Sequence, residues 1–404
     1  MKRLGFKEFL FIVPVVLLIA IFSLWPVIQS FTYTFFDYRL NDQTKAGLYM
    51  NERFNYELFD ETQMYLKMFL NEDKSSVTDK NLTVEIENLI SRIDEVSAQF
   101  DGREGVQKIS DEEKEQVLSL SAEAKGVISL VTENYETPNK ENLPLIVSDI
   151  ENSIIASNFI GLEGYKKALS DERLRIALVN TFIFTIVSVF LELILGLALA
   201  LIMNKAIMGQ GLIRTTSLIP WAIPTAVAAL MWSYLYDGSS GIIAHFFETI
   251  GLVGDSRDLL LSGSGAMFST IIADVWKTTP YMALLLLAGL QNIPKSLYEA
   301  ASIDGANRVQ SFFQVTLPLL KSSILVALLF RTLDAFRVFD LIYVLTGGGP
   351  GGATETLSIY GYKAMFAQTN FGYGSVIVMI MFVCVALIAI LYVKILGANL
   401  MEKS

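Results

Sequence analysis

The chain has 404 residues, 52% of them hydrophobic and only 18% charged. That balance excludes an ordinary soluble domain and a disordered chain and points to a membrane protein. The net charge of −10 is unevenly spread: residues 41–170 carry 25 acidic and 13 basic side chains, a net of −12, and the rest is net +2. Nothing in this balance suits nucleic acid as a partner.

Lys2, Arg3 and Lys7 precede an apolar stretch from Phe9 to about Phe36. No small-residue cleavage site ends it, and it exceeds the roughly 20 apolar residues that a bilayer requires. It reads as a retained transmembrane helix within an N-terminal region 1–40.

The acidic block 41–170 follows, read as a water-exposed insertion. Leu82, Ile86, Leu89, Ile93, Val96 and Phe100 are spaced 4, 3, 4, 3, 4; Val117, Leu120, Ala124, Val127 and Val131 are spaced 3, 4, 3, 4. Each set is a helical seam. A Gly-containing turn at 101–105 joins them, so a helical hairpin is expected near 80–133, with Asp111 capping its second helix and Pro138 beyond its end. Residues 55–70 fit a third helix; the alternative is a β-rich domain.

Five further spans are expected at 174–203, 212–236, 266–290, 322–346 and 373–396. Pro14, Pro26, Pro220, Pro224 and Pro280 fall inside spans, which membrane helices tolerate. Lys205, Arg214, Lys295, Arg308, Lys321, Lys394 and Lys403 all fall on one side with the N-terminal cluster if both termini are cytoplasmic. Lys166, Lys167, Arg173 and Arg175 run against this, but they end a long loop, where charges count weakly. The acidic block is then extracytoplasmic.

Cys384 is the only cysteine, which excludes an intrachain disulfide. His245, the only histidine, reads as a solvated residue in a short polar connection, so a metal site is not expected. The chain has no Gly-Lys dipeptide and therefore no phosphate-cradling P-loop. No catalytic residue is expected, and the chain cannot hydrolyse ATP in the usual P-loop manner.

Polar residues inside the spans are candidates for a solute path, because intramembrane charges are costly and face protein or water. The fifth span carries Arg331, Asp334, Arg337 and Asp340, two i, i+3 pairs on one expected helix, either a path wall or structural pairing. Glu192 in the second span fits helix-to-helix hydrogen bonding better than solute contact. Tyr281, after Pro280 near the middle of the fourth span, offers a ring face and a phenol to a solute. Trp221 and Trp232 are weaker candidates of the same kind, and Trp25 suits the membrane interface.

The segment 291–321 is a polar, helix-forming stretch between apolar runs. Ser296 can cap a helix from about Leu297, Gly305 permits a sharp turn, and a second helix fits 307–316. Glu299-Ala300-Ala301, glycine at plus six (Gly305), an aliphatic residue at plus sixteen (Val315) and Leu317-Pro318 form a fixed pattern. This pattern resembles the EAA loop of integral-membrane permease subunits of binding-protein-dependent ABC importers. Trp276-Lys277-Thr278-Thr279-Pro280-Tyr281-Met282, Leu345-Thr346-Gly347-Gly348-Gly349-Pro350 and Thr354-Glu355-Thr356-Leu357 look like the carbohydrate branch, the maltose and glycerol-phosphate permeases. Phe35-Phe36-Asp37-Tyr38 is also similar, but the acidic block departs from most members.

The resemblance implies an all-α membrane protein with six transmembrane helices, a helical extracytoplasmic insertion at 41–170 and a five-helix core at 171–404. It implies ATPase coupling through Glu299, Ala300, Ala301, Asp304, Gly305 and Pro318. The implied partners are a second permease subunit, two ATPase subunits, a periplasmic solute-binding protein, a sugar and membrane lipid. No cofactor is implied for this chain, since ATP and Mg²⁺ bind the ATPases, and the implied location is a bacterial inner membrane. A rival reading of the charged fifth span is an ion- or proton-coupled secondary transporter. A third makes the acidic block the main function, as an anchored scaffold or receptor.

Overall fold

The computed structural model describes residues 6–205 and 209–401; Lys2, Arg3 and Lys403 of the orientation pattern lie outside the described residues. The chain divides into two units. One is built from Gly164–Gln368 with the two terminal segments, the other from Thr32–Glu163 with Thr369–Gly372.

In the first unit the apolar runs form helices. Among the described residues five are long and apolar enough to cross a membrane: Val13–Tyr33, Glu172–Asn204, Gly263–Gln291, Arg308–Phe336 and Phe371–Ile395. The expected third span is broken into Gln210–Ala222 and Thr225–Leu235, bent by 87°. Counting that pair as one gives six. The break has a local cause. Pro224 has no N–H to continue the ladder, so the first half stops at Ala222. Ile223 is extended, and Pro224 begins the second half.

The fourth span, Gly263–Gln291, is the most buried of the set, which makes it the centre of this unit. Gly196 sets its distance from the second span. A Cβ there would lie 2.7 Å from Met282 Cγ and 3.3 Å from the Ala283 nitrogen, so only glycine permits this approach.

The fifth span differs from expectation at both ends. The short helix Arg308–Ser311 runs on through a π-helical turn, Phe312–Thr316, into Leu317–Phe336. At the other end Arg337 caps the helix, with its N–H reaching back to the Asp334 carbonyl at 3.1 Å. A separate helix, Asp340–Leu345, then begins. The early stop leaves Phe339 free to stack on Tyr343 and to meet Tyr362, with centroids 5.1 and 4.9 Å away. His245 lies on a short helix, Ile242–Thr249, within the connection between the third and fourth spans, and is exposed.

The second unit is mainly helical. Its helices are Tyr56–Lys74, Lys80–Ala98, Asp111–Asn134 and Leu143–Asn152. All eleven seam positions from Leu82 to Val131 are buried. Periodicity and burial coincide here because a seam is the only apolar face these acidic helices possess. Ser110, not Asp111, caps the longest helix: it forms a reciprocal capping box with Glu113. A small sheet is added that the periodicity did not suggest. Arg53–Asn55 is its central strand, antiparallel to Val106–Lys108 on one side and Ile154–Ile155 on the other.

Candidate functional site

Helical spacing on the fourth span places Asp274, Lys277, Thr278 and Tyr281 along one face. The second span brings Glu192 to this face and the fifth brings Arg331. The Arg331 guanidinium is 1% exposed, and Glu192 is fully buried. Arg331 Nε donates to Glu192 Oε2 at 2.5 Å and Nη2 donates to Oε1 at 2.9 Å. Nη2 also pairs with Asp274, and Nη1 reaches Asp334 at 3.1 Å. Thr278 Oγ1 lies 2.8 Å from Glu192 Oε1 and 2.6 Å from the Asp274 carbonyl, so its single proton can serve either acceptor. The expected Arg331/Asp334 pair exists, but it is the exposed edge of a cluster joining three spans. Glu192 bonds helix to helix, as its position suggested.

The cluster borders a cavity of about 490 Å³. Asp274, Lys277, Thr278, Arg331, Asp334, Arg337 and Asp340 line it, together with Trp221 and the break residues Ile223 and Pro224. Lys277 Nζ donates to the Ile223 carbonyl at 2.5 Å and to the Trp221 carbonyl at 3.3 Å. Trp221 and Tyr281 stack, with centroids 5.6 Å apart and planes 13° from parallel.

The remaining sequence candidates separate. Trp232 packs against Tyr236 and edge-on against Trp276 in the core, away from the cavity lining. Arg337 and Asp340 do not pair along one helix, because the helix ends between them; Arg337 Nε instead donates to the Leu333 carbonyl at 3.1 Å. Asp274 and Lys277 were missed by sequence reasoning. The signal was present: both are charges inside an apolar span, the criterion that singled out the fifth span.

A second polar cluster clamps the Thr354-Glu355-Thr356-Leu357 motif to the second span. Arg173 grips the Glu355 carboxylate with two bonds of 2.7 and 2.8 Å, and Lys363 adds a third at 3.0 Å. Burial pushes Glu355 up, but the bonds from Arg173 and Lys363 outweigh it and hold the carboxyl below the usual range. Asn180 Nδ2 donates to the carbonyls of Gly352 and Glu355 at 3.0 and 3.1 Å. Thr181 Oγ1 accepts the Leu357 N–H at 3.0 Å.

The segment around Glu299 forms a compact knob. Its helix runs Lys295–Ile303 and starts from Pro294; Ser296 lies inside it and is not the cap. Gly305 turns the chain at φ +85°. Asn307 and Gln310 then form a capping box, with bonds of 2.9 and 2.8 Å. Tyr298 Oη and Thr316 Oγ1, 3.1 Å apart, close the knob on itself. Glu299, Ala300, Asp304, Gly305 and Pro318 are exposed, and Ala301 is half-buried. So are four large apolar side chains, Leu297, Ile303, Val309 and Phe313, with Ile303 at 86%.

Residues 176–400 match the family model of the binding-protein-dependent transport system inner membrane component. The chain belongs to this family. It is a multi-pass membrane permease, and both clusters and the knob lie within or beside the matched region. The permease is similar to the trehalose/maltose transport system permease protein MalF of Thermococcus litoralis, 47% identical over 237 residues, 59% of this chain and 79% of that protein. It is equally similar to the trehalose transport system permease protein SugA of Mycobacterium tuberculosis, 47% identical over 240 residues, 59% of this chain and 76% of that one. The sn-glycerol-3-phosphate permease protein UgpA of Agrobacterium fabrum is 36% identical over 237 residues, 58% of this chain and 80% of that protein. A chain of a bacterial ABC transporter that imports the acidic polysaccharide alginate shares the permease fold, with a TM-score of 0.54 at 22% identity over 59% of this chain and 84% of that one.

Proposed function

We propose that this permease forms half of the path for a sugar, an oligosaccharide, disaccharide or sugar derivative, in an ATP-driven importer. The observation that carries the reading is the cavity of about 490 Å³ among the spans, with the Trp221–Tyr281 stack beside its charged wall. Its volume falls in the roughly 300–1,000 Å³ range of small-molecule sites. Aromatic faces suit sugar C–H surfaces, and the polar wall suits hydroxyls. The saccharides named for the similar MalF and SugA proteins support the same class.

A second permease subunit would supply the other half of the path, and a periplasmic binding protein would deliver the solute. Two ATPase subunits would bind ATP and Mg²⁺. The knob is their docking point: Ile303, Val309 and Phe313 are exposed apolar groups set on short rigid helices around Glu299, Ala300, Ala301, Asp304, Gly305 and Pro318. Both termini and the knob face the cytoplasm in this reading, and the acidic insertion lies outside. The contrary charges Lys166, Lys167, Arg173 and Arg175 weigh little in this reading, because they end a long loop.

Uptake by the complete transporter in liposomes tests the reading. Radiolabelled trehalose or maltose should enter only with ATP inside and loaded binding protein outside, and an uncoupler should have no effect. Uptake that survives ATP depletion and collapses with the uncoupler would establish the ion-coupled alternative.

A further inference from the structure

The bend in the third span creates a local problem. Pro224 cannot donate a backbone hydrogen bond, and Ile223 leaves helical geometry, so the last carbonyls of the first half lose their partners. Within a membrane such groups need a partner from the protein or from a water-filled cavity. They also carry the negative end of the half-helix. Lys277 meets both needs: its ammonium donates to the carbonyls of Trp221 and Ile223, one on each side of Ala222. The residue is 7% exposed and borders the cavity, and its two hydrogen bonds both go to the break.

The same face of the fourth span is fixed independently. Asp274 and Thr278, flanking Lys277, are tied to Arg331 and Glu192. Lys277 therefore links a rigid three-span cluster to the broken span. One turn beyond it, Tyr281 stacks on the ring of Trp221, whose own carbonyl Lys277 holds. The Trp221 side chain is 46% exposed and lines the cavity, so its orientation depends on the backbone to which the lysine is anchored.

We propose that Lys277 is a positioning residue for solute passage: by capping the break in the third span it holds Trp221 as a fixed wall of the cavity. The proposal rests on the reading of that cavity as the solute path. A loosened wall lets solute slip back during the cycle, so the quantity that Lys277 controls is solute moved per ATP, not ATP hydrolysis itself.

The test uses the complete transporter in liposomes, with radiolabelled trehalose and maltose as probes and phosphate release measured in parallel. Lys277→Met should import roughly tenfold less solute per ATP, the scale of one lost aromatic wall contact. Its binding-protein-stimulated ATPase should stay within about twofold of wild type, a rate change of well under 1 kcal/mol in barrier height. Lys277→Arg, which retains charge and donors, should recover most of the ratio. An unchanged ratio in Lys277→Met, or a loss that arginine does not restore, overturns the proposal. Should Lys277→Met fail to assemble, Lys277→Gln, with an amide donor but no charge, should lower the ratio partway; a wild-type ratio there overturns it equally. Trp221→Leu separates the proposal from its premise. A lowered ratio in Trp221→Leu with a normal one in Lys277→Met defeats the lysine alone, whereas normal transport in Trp221→Leu defeats the cavity reading.

Discussion

Arg331 and Glu192, 139 residues apart in sequence, meet inside the membrane unit through two parallel hydrogen bonds of 2.5 and 2.9 Å. Planar guanidinium against planar carboxylate fixes the relative rotation of the second and fifth spans. A buried pair is not a large net source of stability, because desolvation offsets much of the attraction. Removing one side is a different matter. Arg331→Met leaves Glu192 and Asp274 buried without their cation, at a cost of about 3–5 kcal/mol. A lower unfolding midpoint in detergent is expected, and adding Glu192→Gln and Asp274→Asn should restore most of it. Equal midpoints for the single and triple variants would count against the cluster as drawn.

Gly305 occupies φ +85° in the knob, and nothing lies within 4 Å of a Cβ placed there. Space is therefore not the constraint; backbone conformation is. Asparagine tolerates this region, whereas proline is locked near φ −65° and lacks the N–H that reaches the Ser302 carbonyl at 3.1 Å. Gly305→Pro should insert and accumulate normally, yet lower ATP-driven uptake by roughly tenfold or more, equivalent to about 1.4 kcal/mol of lost coupling. Gly305→Asn should transport close to wild type. Normal uptake in the proline variant would refute a coupling role for this turn.

The Glu355 clasp carries a pH dependence of definite sign. Its carboxyl is held below its ordinary value of 4.5, so the clasp contributes stability above that value. The contribution fades only as pH falls through the lowered value. Proteolysis of the 346–356 loop should be constant from neutrality to about pH 4.5 and rise below it. Glu355→Gln should remove that acid step and show higher cleavage at neutral pH. An acid step that survives in the glutamine variant would assign it to another group.

Legibility followed the length of the pattern. The seam Leu82–Ile86–Leu89–Ile93–Val96–Phe100 is all buried because a repeat of six positions leaves one solution for the helix face. Charges within spans were legible one helix at a time: Arg331 with Asp334 was visible, but its bonds to Glu192 and Asp274 depend on how three helices pack. The bend at Ile223 was hidden by the rule that membrane helices tolerate proline. Pro220 and Pro224, four residues apart, defeat that rule: no N–H at 224 is available for the carbonyl at 220. The strands around Phe54 are three residues or fewer, too short for an alternation to register.

The acidic insertion has one shared hydrophobic core rather than a hairpin with attachments. Phe54, Phe59 and Phe100 form one aromatic group with centroids 5.2–5.4 Å apart, joining the first strand and first helix to the end of the seam helix. Leu66 and Leu70 share the same core with Ile86 and Ile93. Lys67 reaches Asp94 at 2.6 Å, and Lys74 pairs with Glu87. Deleting 78–132 therefore removes one side of the core and exposes Phe59 and Leu66, so the remainder should be cleaved rapidly by protease. Ile93→Ala makes the milder perturbation, about 2–5 kcal/mol for a fully buried aliphatic side chain. In the full-length protein it should speed proteolysis across the insertion as a unit while cleavage of the spans stays unchanged. Cleavage confined to the neighbourhood of Ile93 would show that the helices unfold independently.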